Sequence, residues 1–194
     1  MTFFHYGNDF FNHGNELFPL WKSHWLENGM GMHFGSHPEI IINEYGADTA
    51  RLFMLSDSPP NRDLDWTTAG IEGAWRYVNK LWRMVSDPDV TLVKPSGPMP
   101  NNISKVAENV RRAIDQTTAA IGRDLDDFHF NKAVARIREL TNLLEGLDNE
   151  DEGAGWVYRY GMETVTRLIA PMLPHLAEEM WCQLGHTELV VNAP

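Results

Sequence analysis

The chain has 194 residues and a mass of 22.1 kDa, room for one domain of ordinary size. Hydrophobic residues make up 43% and charged residues 22%, which excludes wholesale disorder. The single cysteine, Cys182, excludes an internal disulfide framework. With 27 acidic against 16 basic residues the net charge is −11, so a surface for nucleic acid has to be a local patch on an acidic whole.

No apolar run reaches the roughly 18 residues a membrane span needs, and no basic n-region precedes an apolar stretch at the N-terminus. The expectation is a soluble, cytoplasmic protein. Residues 1–37 form a distinct leader. They hold five of the eight histidines and nine of the aromatic residues but only one basic residue, Lys22. Glycines interrupt any period there, so the leader reads as irregular.

From Pro38 onward the pattern is helical, and residues 38–194 read as one all-α domain. Pro38 suits a first helical turn, and Gly46 suits the cap that ends it. A second short helix carries Ala50, Leu52, Phe53 and Leu55 until Ser58-Pro59-Pro60-Asn61 breaks it. Thr67 or Thr68 caps a third, with Ile71, Trp75, Val78, Leu81, Trp82 and Val85 at spacings of three and four.

After a proline-rich linker over 95–102, Ser104 caps a helix bearing Val106, Val110, Ile114 and Ile121. Asn131 is expected to cap the next, with Val134, Ile137, Leu140 and Leu144. An acidic turn leads to a helix over Trp156–Ala170, Pro171 and Pro174 break it, and another follows over His175–Leu184. Leu189-Val190-Val191 reads as a short strand. The sum is an antiparallel bundle of four to five main helices, with no strand–glycine-loop–helix unit for a nucleotide.

Candidate chemistry is sparse. His33 and His37 are four apart with Glu39 nearby, but Gly35 and Pro38 disfavour the helix such a metal pair needs, and no metal or cofactor is expected. Ser36 lies between Gly35 and His37 without the strand and helix of a nucleophile elbow. Ser36 and His37 are the catalytic candidates only if the leader folds over the bundle. Asp124, Asp126 and Asp127 read as a solvated turn, and Cys182 as a buried, inert thiol. Arg76, Lys80 and Arg83, four and three apart, share one helix face. With Arg62 from the preceding loop, they make a plausible phosphate-contacting patch.

Several stretches carry a family resemblance. Tyr45-Gly46-Ala47-Asp48-Thr49-Ala50-Arg51-Leu52-Phe53-Met54-Leu55-Ser56-Asp57-Ser58-Pro59-Pro60 closely resembles leucyl-tRNA synthetases of the bacterial type. So do Asp63-Leu64-Asp65-Trp66, the run from Gly70 to Val78, Phe130-Asn131-Lys132-Ala133 and the run from Ala170 to Glu179. The resemblance begins at Pro38 and reaches the end of the sequence; residues 1–36 do not share it.

The resemblance implies the anticodon-binding helical bundle of that family, and it matches Arg76 and Lys80 to basic positions used toward tRNA. Where the family carries a Lys-Met-Ser-Lys-Ser loop, this chain has Glu27-Asn28-Gly29-Met30-Gly31, and the family's Asp before the proline is His37. The family's ATP motif and catalytic sheet have no counterpart here. Leucine activation needs cations that spread developing phosphate charge. The chain alone is therefore expected not to aminoacylate.

The function so implied is a tRNA-contacting module of, or derived from, a leucyl-tRNA synthetase, binding leucine tRNA weakly because of the acidic net charge. The alternatives are a stand-alone paralogue recruited as a hydrolase, or a protein-interaction module, including a homodimer formed through the leader's aromatics.

Overall fold

The computed structural model describes residues 38–57 and 67–193. The leader, with Ser36 and His37, and the loop residue Arg62 lie outside the described residues. Seven α-helices follow in chain order: α1 Pro38–Tyr45, α2 Ala47–Asp57, α3 Thr68–Ser86, α4 Lys105–Asp126, α5 Phe130–Glu145, α6 Ala154–Ile169 and α7 Pro174–Gln183. A 3-10 turn, Val190–Asn192, closes the chain.

Side chains set most of the helix boundaries. Gly46 turns between α1 and α2 at φ +84, a conformation glycine adopts without steric cost. Thr67 Oγ1 accepts the Gly70 amide at 3.2 Å to open α3, and Ser104 Oγ accepts the Ala107 amide at 3.1 Å to open α4. The start of α7 has no local side-chain cap. Asp48, on α2, supplies one from a distance: its Oδ2 accepts the Leu176 amide at 2.7 Å.

The long helices alternate in direction. Between α3 and α5, Tyr77 meets Thr141 and Lys80 meets Asn142, so these two run parallel. The short turn between α4 and α5 reverses the chain, and Asp124 on the first helix meets Arg136 on the second. Ile114 and Ile121 of α4, Ile137, Leu140 and Leu144 of α5, and Val157, Met162 and Val165 of α6 form the centre of the core. Helix α6 packs closely on α5 at Gly161, where a Cβ would lie 2.4 Å from Leu144 Cδ2. No methyl group fits there without displacing a fully buried leucine.

The linker after α3 is strapped onto α6. Arg159 Nε donates to the Val93 carbonyl at 2.5 Å, and Trp156 Nε1 donates to the Gly97 carbonyl at 3.0 Å. Gly155 permits the approach, since a Cβ there would lie 2.2 Å from the Thr91 carbonyl oxygen.

Four expectations from sequence are corrected. Asn131 does not cap α5; the helix begins at Phe130 with His129 at its N-cap. Leu189–Val191 is no strand. Val190 is buried in the terminal 3-10 turn, and its amide is taken by Glu178 Oε2 at 3.1 Å. With no neighbouring strand to pair with among the described residues, the β-branched pair packs as a turn instead.

On α3 the buried set is Ile71, Ala74, Tyr77, Val78, Leu81, Met84 and Val85. Trp75 and Trp82 are half-buried at its edge. Cys182 is exposed, because α7 buries Met180 and Trp181 instead. The two tryptophans are large enough to be partly covered without pointing inward.

Candidate nucleic-acid interface

Helix α3 buries one face and turns the other outward, and that second face carries the basic residues. Arg76 keeps 66% of its side chain exposed and lies 3.8 Å from Glu72, a loose surface pair worth little. Arg83 is exposed two turns further along the same face. Lys80 is different. Its ammonium sits 2.8 Å from Glu145 and donates to Asn142 Oδ1 at 2.7 Å, and it ties α3 to α5. The face predicted as three cations is two outward guanidinium groups flanking one tethered ammonium.

Between α2, α3 and the first half of α5 lies a cleft of about 290 Å³. Gly70 and Gly73 line its α3 wall, Phe53 and Ser56 its α2 wall, and Asn131 and Arg138 its α5 wall. Gly70 has Phe53 packed against it, whereas a Cβ on Gly73 would meet only the Arg76 guanidinium, at 3.8 Å. Arg76 therefore hangs over the mouth of this cleft.

Arg138 stacks on the Tyr77 ring with its guanidinium carbon 4.4 Å from the centroid, a cation–π contact that fixes its orientation. Burial pushes the Tyr77 hydroxyl up to about 12, partly offset by its hydrogen bond to Thr141 and by Arg138. It stays neutral through the physiological range. Arg138 was not singled out from sequence. The available signal was a cation on the apolar side of α5, four after Val134 and three before Thr141, both buried.

The other sequence candidates are placed elsewhere. Asp124 is buried and accepts Arg136 Nε at 2.6 Å, while Asp126 and Asp127 are exposed. These three carboxylates do not converge. No group of three metal-ligating side chains gathers among the described residues. Glu108, in the first turn of α4, is gripped by Arg111 and Arg112 at 2.9 and 2.8 Å, and those hydrogen bonds hold its carboxyl down at about 2. No described helix is long and apolar enough to cross a membrane.

Residues 107–194 match the family model described as the anticodon-binding domain of tRNA ligase. Residues 107–194, from α4 onward, are thus an anticodon-binding domain of the tRNA-ligase kind. Over 157 residues, 80% of this chain, the sequence is 60% identical to the leucine–tRNA ligase of Paramagnetospirillum magneticum. It is 51% identical over 157 residues to that of Rhodospirillum rubrum.

The fold also matches a solved chain from the ternary complex of Agrobacterium radiobacter K84 agnB2 LeuRS with tRNA and LeuAMS. The TM-score is 0.66 at 24% identity, covering 80% of this chain and 20% of that one. The domain is of the leucyl-tRNA synthetase type. The chain spans 18% of the length of the two ligases named.

Proposed function

We propose that this domain contacts leucine tRNA through the outward face of α3, with Arg76 and Arg83 against backbone phosphates and Lys80 bracing the helix that carries them. The observation that supports this most is the exposure of both guanidinium groups on one face of an anticodon-binding fold whose net charge is −11. Guanidinium groups present a planar fork of donors suited to phosphate oxygens.

Few phosphates are neutralised by such a patch, so binding is weak and falls steeply with salt. Phosphate contacts position a protein without reading bases, so preference for leucine tRNA over another tRNA comes from shape. The chain by itself activates no leucine, in keeping with Glu27–Gly31 standing where the family has its lysine-bearing loop.

The test is binding of purified leucine tRNA, with a non-cognate tRNA alongside, at two salt concentrations. Binding that weakens with salt and drops again in the Arg76→Ala/Arg83→Ala double variant supports the reading. Equal affinity of native and double variant at low salt overturns it.

A further inference from the structure

The α2–α3–α5 cleft has the features of a ligand site that the fold itself does not require. The cleft opens to solvent, and buried polar groups ordinarily find partners. Among the described residues three buried side-chain polar atoms have no partner, Thr49 Oγ1, Trp181 Nε1 and Asn131 Oδ1, and only Asn131 belongs to the cleft lining. Asn131 lines the cleft, and its side-chain oxygen is buried with no hydrogen-bond partner. Arg138 lines it too, stacked on Tyr77, and it pairs with no carboxylate among the described residues. Arg76 reaches over Gly73 at the mouth.

Two guanidinium groups around one opening select an anion with several oxygens. The α3 wall at Gly73 is bare backbone, which lets a ligand approach closely. The Asn131 oxygen needs a donor, and its amide turns readily about χ2 to meet one. A ribose hydroxyl is such a donor, and the small residues Gly70, Gly73, Ala74 and Ala135 in the lining leave room for a sugar. The volume, about 290 Å³, falls at the small end of ligand pockets, roughly 300 Å³, enough for a single nucleotide unit.

From this we infer that the cleft seats one nucleotide of RNA backbone, its phosphate held between Arg138 and Arg76 and its sugar against Gly73 and Asn131. The inference rests on the tRNA-contact reading above and adds to it. Contact is not confined to the outer face of α3 but continues into the groove beside it, where a nucleotide is enclosed rather than only attracted.

The experiment uses the full chain and leucine tRNA at low salt, read by fluorescence anisotropy, with thermal unfolding of every variant. Gly73→Leu places a side chain at the cleft wall, where a Cβ meets only the mobile end of Arg76 at 3.8 Å, so the melting midpoint holds while affinity falls on the order of tenfold. Arg138→Lys keeps the charge and loses the fork, and affinity falls by a similar order.

If both variants bind like native while Arg76→Ala/Arg83→Ala binds less, the cleft inference is overturned and the outer-face reading stands. If the native chain binds no leucine tRNA, both fall. Should Gly73→Leu lower the melting midpoint, Arg138→Lys alone decides: retained affinity overturns the inference, and a tenfold loss upholds it.

Discussion

Two ends of this bundle handle their cations in opposite ways. At the C-terminal end, Arg159 is 8% exposed and makes three bonds: Nε on the Val93 carbonyl, and Nη1 on the Leu184 carbonyl and Glu163. Glu163 in turn accepts from His186, whose ring stacks on Trp181 with centroids 3.6 Å apart. The bonds of Arg159 to Val93 and Leu184 and of His186 to Glu163 join segments distant in sequence. In the α2–α3–α5 region, Arg138 is held only by an aromatic face, Arg76 only by a loose pair at 3.8 Å, and the Asn131 oxygen by nothing. Buried polar groups cost stability unless paired. The first end commits its arginine to structure, although the Trp181 indole N–H there is itself without a partner; the second leaves its guanidinium groups available, and is where recognition is to be sought.

The sharpest way to break this comparison is to remove the fully engaged cation. Arg159→Met leaves two carbonyls without their donor and Glu163 with His186 alone, and is expected to destabilise the bundle by about 3 kcal/mol, measured by urea unfolding. Arg138→Met leaves no such debris and should cost well under half as much. Equal losses would mean the two arginines are alike in role.

A second contrast uses glycines. Gly161→Ala forces a methyl group onto buried Leu144 and is expected to cost about 1–3 kcal/mol. Gly73→Ala fills open space in a helix and is expected to stabilise by about 0.5–1 kcal/mol. Thermal melts of the pair should therefore move in opposite directions.

The smallest effect concerns Glu108. Its folded-state carboxyl titrates near 2 against an ordinary 4.5, so its contribution is full above 4.5 and disappears as pH falls toward 2. Glu108→Gln should be slightly less stable than native at pH 7, with the difference closing over that acid window. A gap that persists at pH 2 would mean the charge is not its source.

Much of the fold was legible from local chemistry. Thr67 and Ser104 announced their helices because a cap is a contact over three residues, and Gly46 announced a turn for the same reason. The stripe on α3 is readable in outline but not in rotation: hydrophobicity turns Trp75, Tyr77 and Trp82 inward, while the structure buries Tyr77, leaves both tryptophans half-buried and buries Ala74 and Met84 instead. Leu189–Val191 had strand propensity, yet what decides a strand is a partner.

The interface was half legible. Arg76 and Arg83 could be placed on one face by spacing, but the pairing of Lys80 with Glu145 joins residues 65 apart in the sequence numbering. No local pattern shows that. The cleft was invisible for the same reason, since Gly73 and Arg138 meet only once α3 and α5 lie side by side. Asp48, which caps α7 from 128 residues away, is a third instance. Spacing reveals faces, and only packing reveals which faces remain available.

The most direct test of the central claim is the salt dependence of leucine tRNA binding in native protein and in the Arg76→Ala/Arg83→Ala variant. Each lost phosphate contact lowers the slope of log affinity against log salt by roughly 0.7–0.9. The account predicts a slope shallower by about 1.5 in the variant, together with weaker binding at low salt. An unchanged slope would place the tRNA contacts elsewhere on the molecule and contradict the assignment of α3 as the contacting face.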